Sequence, residues 1–552
     1  MVTKPGPAGA GLQTFPRRNS ITIVMLSQLF KRRDLFRAGA LLAPFAGFRS
    51  TGNAAQLRLA GDIYASIGVR PIINCKGTFT IISGSQSLPE VKRAMDLASR
   101  HYIHLDELME KVGQRLAQIT KAEWGIVTAG CAAALSHATA ACIAGADPEK
   151  LQRLPDLTGM KNEVIAPRYS RNVYDHAVRQ VGPRIVEVNS IQEYERAFND
   201  RTAMVMVLAG SGDKGPLGLE ALCPIAKQKG VPVLVDAAAE RLTIPNGHLA
   251  RGATMVAYSG GKCLRGPQCA GILLGPKNLL QAAWLHSAPH HAYGRPMKVG
   301  KEEIMGMLAA VEAWVKRDHD AEWKQWESWL DHIARKVKTI PGVTTEILQP
   351  EGLSNNSPRL RIKWEKLSVT GREAEERLLE GEPRVIVGGS TGDRTWGGAD
   401  SLTIMPYMMM PGDEKIAADR IHTVLTGHGP HIRAYVGPTA HVAGQWDVDI
   451  QYGLGSSRHN LVLEQKEGQL LGTHSGEYLS SDLRGLIREN EIIFRSSHRY
   501  EGTRIGYEFS GVVKDDSITG TVHLGEYGQA RFTARRHNYG QPGGVVRPVK
   551  NV

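Results

Sequence analysis

The sequence predicts a doubly wound α/β domain, then a smaller α+β domain, and finally an all-β domain that is an antiparallel barrel or sandwich. Within residues 56–319, short apolar runs alternate with helical patterns, which is typical of a parallel sheet covered by helices. Residues 320–428 combine three strand patterns with two helices. After a linker at 429–443, residues 444–552 hold eight short strand patterns separated by turn signals. A chain of 552 residues is long enough for three such domains.

The first 55 residues have the features of an export leader. They carry eight lysines and arginines against one aspartate, which is more than half of the net charge of +12. The run Lys31–Arg37 is similar to a twin-arginine motif, and a weakly apolar run from Ala38 to Phe48 follows it. We expect export to the periplasm by the twin-arginine route, with Met1 or Met25 as the start. The alternative is a basic tail on a cytoplasmic protein.

The rest of the composition is ordinary for a soluble globular chain. Outside the leader the charge is small for some 500 residues, so a nucleic-acid partner is not indicated. No apolar run reaches the roughly 20 residues that a membrane span needs. The six cysteines follow no disulfide or metal-ligand spacing, and we predict neither a disulfide nor a metal site.

Two motifs of the α/β domain predict a cofactor site. An apolar strand pattern ends at Asp236, and a glycine-rich turn carries Lys262, 26 residues later. A lysine amine forms a Schiff base with the aldehyde of pyridoxal phosphate (PLP), and a carboxylate at a strand end pairs with its pyridinium nitrogen. Ser259, just before the turn, adds a hydroxyl for the phosphate. We therefore expect PLP on Lys262, which then serves as general base.

A strand-to-helix turn upstream supplies the third part of this site. A short apolar strand ends at Thr128, and an alanine-rich helix begins after Gly130. Free amides at a helix N-terminus form an anion site. We expect the backbone of Gly130, Cys131 and Ala132 to hold the phosphate of PLP.

Further motifs accompany the lysine turn, namely Arg70–Asn74, Leu88–Val91, Tyr174–Arg179, Gly266–Gln268 and Gly294–Glu302. Through them the chain, from about Leu57 to Gly427, resembles the selenocysteine synthase (L-seryl-tRNA(Sec) selenium transferase) family and, more closely, its relatives of the D-glucosaminate-6-phosphate ammonia-lyase type. The resemblance implies a fold type I PLP enzyme with Lys262 as the Schiff-base lysine and Asp236 as the pyridine partner. It also implies a homodimer or larger homo-oligomer, because active sites of the family lie at subunit interfaces.

The resemblance implies Cα–H abstraction and α,β-elimination on a small amino acid or amino sugar acid. The sequence leaves the substrate open, and it does not separate elimination from racemisation, transamination or β-replacement. His176, with Tyr174 beside it, is a candidate for stacking on the cofactor. Candidates for binding an acidic or phosphorylated substrate are the basic residues Arg265, Arg295, Lys298, Arg359, Arg361 and Arg394.

Two other functions compete with the lyase. Selenocysteine synthesis on charged tRNA is disfavoured for two reasons. The bacterial tRNA enzyme has an N-terminal tRNA-binding domain where this chain has a leader, and it has a Gly/Ser-rich segment where this chain has Ala237–Glu240. A non-catalytic protein that keeps PLP structurally is disfavoured by the intact pair of Asp236 and Lys262. For the all-β domain we expect a structural or oligomer-contact role that leaves the chemistry to the first two domains. A ligand-binding barrel is the alternative.

Overall fold

The computed structural model describes residues 62–429 and 436–539, and the chain divides into one unit at 1–71 and a second at 72–552. The described part of the first unit, residues 62–71, contains one 3₁₀ turn at Ala65–Ile67. The predicted export leader lies outside the described residues. All further description concerns the second unit.

The second unit opens with a short strand, β1 (Ile73–Cys75), which belongs to the smaller sheet described below. Seven further strands form the large domain: β2 (Trp124–Thr128), β3 (Glu163–Pro167), β4 (Arg184–Val188), β5 (Thr202–Leu208), β6 (Val233–Asp236), β7 (Met255–Ser259) and β8 (Gly271–Gly275). Their order in the sheet is β2-β8-β7-β6-β5-β3-β4, and all pairs are parallel except those of β8. Strand β6 is buried along its whole length, as expected for a parallel strand covered on both faces.

Helices cover both faces of this sheet, so the predicted doubly wound fold is confirmed. In chain order they are α1 (Pro89–Ser99), α2 (Leu105–Thr120), α3 (Gly130–Ala144), α4 (Pro148–Arg153), α5 (His176–Arg179), α6 (Ile191–Ala197), α7 (Leu219–Gln228), α8 (Gly247–Ala250), α9 (Lys277–Leu285) and α10 (Lys301–Lys316). Helix α3 is rich in alanine and buried on nearly all sides, which lets it approach the strands closely. In the described ranges, no helix is both long and apolar enough to cross a bilayer.

The small domain has a five-stranded sheet in the order β1-β11-β12-β10-β9. Its own elements are α11 (His319–Val337), β9 (Val343–Leu348), β10 (Arg359–Trp364), α12 (Gly371–Glu380), β11 (Val385–Asp393), β12 (Gly397–Ile404) and α13 (Asp413–Thr426). A capping box of Thr370 and Glu373 starts α12. Sequence analysis placed residues 56–319 in the large domain, whereas β1 pairs in parallel with β11. The sequence did not indicate this pairing, because the three residues of β1 are too few to show a periodic pattern and its partner strand lies some 300 residues away.

The C-terminal domain is a closed eight-stranded barrel. Of the two architectures that the sequence left open, it is therefore the barrel and not the sandwich. Its strands are β13 (Gly444–Gln451), β14 (Ser456–Lys466), β15 (Gln469–Ser475), β16 (Ser480–Arg488), β17 (Glu491–Tyr500), β18 (Thr503–Lys514), β19 (Ser517–His523) and β20 (Gln529–Arg536). Burial alternates along β13 and β14, because successive side chains point into and out of the barrel. Trp446, Phe494 and Phe509 fill its core. Outside, the guanidinium of Arg495 lies 4.2 Å from the ring of Trp396 in the small domain.

Candidate active site

Asp236 and the lysine turn meet at the carboxyl edge of the large sheet. Asp236 ends β6, Ser259 ends β7, and these neighbouring parallel strands pair Asp236 with Ala257. Ligands of doubly wound sheets bind at this edge. The turn itself is tightly packed, since a Cβ on Gly261 would lie 2.7 Å from the Cα of Gln268. Glycine there lets the chain fold back, which directs the partly buried Lys262 towards the sheet edge.

The carboxyl group of Asp236 is buried and has one unused oxygen. Only 5% of the residue is exposed. Oδ1 accepts a hydrogen bond from the N–H of Ala238 at 3.1 Å and lies 3.6 Å from Sγ of Cys131. Oδ2 has no hydrogen-bond partner among residues 62–429 and 436–539. A buried carboxylate needs a partner for each oxygen, so this side chain fits a cofactor that brings an N–H donor.

Burial raises the pKa of Asp236, while the N–H of Ala238 and the charge of Lys262 act in the opposite direction. Burial also raises the pKa of the Cys131 thiol, and the negative charge of Asp236 adds to that effect. Cys131 is therefore a neutral neighbour. The pyridinium nitrogen of PLP would supply the positive charge that a buried carboxylate requires.

The N-terminus of α3 is open to a ligand. Ala129 caps the helix without any side-chain hydrogen bond, and Ala132 in the first turn is exposed although most of the helix is buried. Gly130 has φ +83°, and a Cβ there would meet nothing within 4 Å. Uncapped amides and free space together fit a phosphate.

The end of β7 lies beside the start of α3. Ser259 pairs across the sheet with Gly271. A Cβ on Gly271 would lie 2.7 Å from the backbone N of Cys131, so only glycine allows this approach. Ser259 thus ends its strand beside the start of α3, and binding of the phosphate by its hydroxyl together with the amides of Gly130, Cys131 and Ala132 stays a prediction.

Tyr174, rather than His176, is the aromatic residue at the lysine. The ring centroid of Tyr174 lies 5.8 Å from Nζ of Lys262. His176 is exposed, and its Nδ1 lies 3.4 Å from the guanidinium of Arg179. The two residues are only two positions apart, where a 3₁₀ turn passes into α5, and sequence patterns do not fix side-chain direction in such a short element.

Two of the predicted substrate-binding arginines are engaged elsewhere. Nε of Arg265 donates to the carbonyl of Gln86 at 3.0 Å. Arg394 binds the carboxylate of Glu373 and the carbonyl of Ser368 within the small domain. Both guanidinium groups thus act as structural links in this conformation.

Other basic candidates remain available for a ligand. Arg295 and Lys298 have no ion-pair partner in the described parts of the chain, and Lys298 is exposed. Nε of Arg359 is buried without a hydrogen-bond partner among the described residues. A buried guanidinium nitrogen without a partner is costly, so Arg359 fits a carboxylate ligand best.

Sequence reasoning missed two buried polar contacts near the lysine turn. The hydroxyl groups of Thr78 and Tyr407 lie 2.9 Å apart, and Tyr407 also donates to Asn355 at 3.0 Å. Nε2 of His248 lies 2.6 Å from the carboxylate of Glu240, four residues after Asp236. No local pattern could have indicated the first contact, because Thr78 and Tyr407 are 329 residues apart in the sequence. In the described ranges, no group of three or more His, Cys, Asp or Glu side chains is arranged to hold a metal ion.

Comparison with known proteins supports the same assignment. The aminotransferase class-V family matches residues 175–298. D-glucosaminate-6-phosphate ammonia lyase of Salmonella typhimurium is 32% identical over 333 residues, covering 58% of this chain and 88% of that protein. A solved structure of D-glucosaminate-6-phosphate ammonia-lyase superposes on this chain with a TM-score of 0.59 at 28% sequence identity. The superposition covers 66% of this chain and 99% of the solved one.

Two further relatives carry other activities in their names. The 5'-C-glycyluridine monooxygenase-decarboxylase of a Streptomyces species is 31% identical, covering 66% of this chain and 92% of that protein. The L-seryl-tRNA(Sec) selenium transferase of Escherichia fergusonii is 23% identical, and the match covers 66% of this chain and 73% of that protein. The resemblance predicted from the motifs is therefore confirmed, and similar scaffolds serve more than one reaction.

Proposed function

Because the chain belongs to the family of PLP-dependent enzymes that includes D-glucosaminate-6-phosphate ammonia lyase, we propose that it is a lyase acting on a small amino sugar acid or amino acid. The reaction is removal of the Cα proton and loss of the Cβ hydroxyl group as water, after which the released enamine tautomerises to an imine that water hydrolyses to ammonia and a 2-oxo acid. The observation that carries this is the buried Asp236 with its unused Oδ2, beside Lys262 and the uncapped N-terminus of α3. PLP, held there, withdraws electrons from the Cα of the bound amine.

Separate residues of this chain bind the cofactor, transfer the proton and bind the substrate. Asp236 keeps the pyridine nitrogen protonated, and the amides of Gly130 to Ala132 bind the phosphate. Nζ of Lys262 takes the proton from Cα and can return it to the product. Tyr174 places its ring beside the amine of Lys262. Arg359 is suited to the substrate carboxylate, and Arg295 with Lys298 to a further acidic group.

Turnover with amino sugar acids tests this function. Purified protein loaded with PLP is incubated with D-glucosaminate, its 6-phosphate, serine and threonine, and release of ammonia and a 2-oxo acid is measured. We expect ammonia release from at least one of them and none from the Lys262→Ala variant. Ammonia release that Lys262→Ala retains, or no elimination with any of the four, contradicts the proposal.

Two competing functions would give different experimental results. Release of carbon dioxide with oxygen consumption would place this chain with the Streptomyces relative instead. Salt-sensitive binding of serine-charged tRNA would favour the selenium transferase. The ammonia lyase is preferred because it combines the highest identity of the three relatives with coverage of 88% of that protein.

We also propose that the leader directs export through the twin-arginine route. The basis is the motif at Arg32 and Arg33 with its apolar run. Fused to a reporter, residues 25–60 should reach the periplasm, and changing both arginines to lysine should abolish export. Replacing Arg17 and Arg18 by lysine in the full leader is the matched control and should change nothing. Export that survives the change at Arg32 and Arg33 means a different route.

A homodimer or larger homo-oligomer is proposed on the family relationship. Sedimentation velocity of the full chain tests it, and a monomer that turns over substrate contradicts it.

A further inference from the structure

The barrel reaches the segment that carries Tyr174. The turn between β17 and β18, residues 500–503, lies against Asn172–Asp175 of the large domain. A Cβ on Gly502 would lie 2.1 Å from the carbonyl oxygen of Asn172 and 2.5 Å from Oδ2 of Asp175. Only a glycine at this position lets the turn come so close.

A buried arginine joins the two sides of this contact. The side chain of Arg171 is 5% exposed, and its Nε donates to the fully buried Asp175 at 2.7 Å. Its other nitrogens bind Glu501 of the barrel turn and Glu187 of the large domain, the latter at 3.3 Å. Arg499 of the barrel also reaches Glu187, at 3.4 Å. Buried charges that lose one partner are strongly destabilised, so these groups hold each other in place.

The same residues fix the backbone around Tyr174. The side chain of Asn172 accepts a hydrogen bond from the N–H of Tyr174 at 2.7 Å. On the other side, Asp175 accepts from Nε of Arg179 at 3.1 Å, which ties the segment to α5. Tyr174 is thus held between two anchors, both of which the barrel turn contacts through Gly502.

We propose that the β17–β18 turn of the barrel is a positioning element of the lysine site, with Gly502 and Glu501 holding Asn172–Asp175 so that Tyr174 stays over Lys262. The effect on PLP rests on the proposed function, whereas the effect on the segment's conformation does not. The expectation that the barrel leaves the chemistry to the first two domains stays a prediction, to which this proposal adds a positioning role. The barrel does not touch the reacting atoms, and it acts through Tyr174.

A pair of glycine variants isolates this contact. The backbone of Gly502 has a φ that any residue adopts, so Gly502→Ala tests space alone. Gly506→Ala is the matched control, because Gly506 lies on β18 just after the turn, also lacks a positive φ, and has nothing within 4 Å of its Cβ position. Glu501→Gln removes the charge opposite Arg171 and serves as a second variant if Gly502→Ala does not fold.

Two measurements on the full chain read out the effect. Hydrogen–deuterium exchange of the peptide spanning 171–180 should speed up in Gly502→Ala and Glu501→Gln without PLP, and stay unchanged in Gly506→Ala. The dissociation constant for PLP should rise about tenfold in the first two variants, with a changed circular dichroism of the cofactor band.

The outcomes separate this proposal from the proposed function. If wild type does not bind PLP at Lys262, the proposed function fails, and exchange of the 171–180 peptide still decides the positioning role. If Gly502→Ala and Glu501→Gln match Gly506→Ala in exchange, the positioning role is overturned. Faster exchange with unchanged PLP affinity and an unchanged cofactor band also overturns it, since the contact then supports only the fold.

Discussion

Replacing Lys262 with alanine is expected to abolish turnover, because its Nζ lies 5.8 Å from the ring centroid of Tyr174 and its turn follows β7, the strand that pairs with Asp236 of β6. This lysine both holds the cofactor and moves the Cα proton, so the loss should be at least about 10³-fold in kcat/KM. Borohydride reduction of the PLP-loaded protein, followed by peptide mass spectrometry, should find PLP on the peptide that contains Lys262. In Lys262→Ala the label should disappear.

The control for this experiment is another lysine of the same domain. Lys227 is exposed in the last turn of α7, and Lys227→Ala should keep both the label and the activity. A label on any other lysine of the wild-type protein would contradict the assignment of Lys262.

The second large effect is expected at Asp236. Alanine there removes the partner of the pyridinium nitrogen, so PLP should bind more weakly and kcat should fall by about 10²-fold or more. Asp236→Asn keeps the size of the side chain and separates charge from shape. It should lose nearly as much activity as Asp236→Ala, because an amide cannot hold the nitrogen protonated. Asp331→Asn, at an exposed position of α11, is the control.

The raised pKa of Asp236 adds a pH dependence to this prediction. The carboxylate form binds the pyridinium nitrogen, and burial raises the pKa of this group above its usual range. PLP affinity of the wild type should therefore be full above that pKa and fall as the pH is lowered through it. Titration of PLP binding by fluorescence measures this, and Asp236→Asn should lack that dependence. An identical pH profile in both proteins would show that another group controls binding.

The parts of the site that the sequence predicted are those that local patterns determine. Asp236 ends an apolar strand, Lys262 sits in a glycine-rich turn, and Gly130 starts a helix, so their shared position follows from the parallel sheet. The choice between Tyr174 and His176 did not follow, because a short turn sets which of the two side chains lies beside Lys262.

Long-range partners explain the remaining differences. Arg265 and Arg394 look available in the sequence, but Gln86 and Glu373 bind them in the folded chain. Likewise, nothing in the sequence of the barrel turn indicates that Gly502 packs against Asn172, since 330 residues separate them. Strand patterns did predict an antiparallel barrel or sandwich, because inward and outward side chains alternate regularly, but the closure of the ring became visible only in the structure.

Closure of the barrel has a consequence for how this domain associates. Strand β13 pairs with both β14 and β20, so every strand of the ring has two neighbours. Where the registers are paired on both sides, the ring therefore presents no row of free backbone N–H and C=O groups to which a foreign strand could add; residues 497–500 of β17 and 503–507 of β18 pair only with each other. Over the doubly paired part of the ring, a partner must recognise side chains or loops, and templated strand-to-strand aggregation there would first require the ring to open.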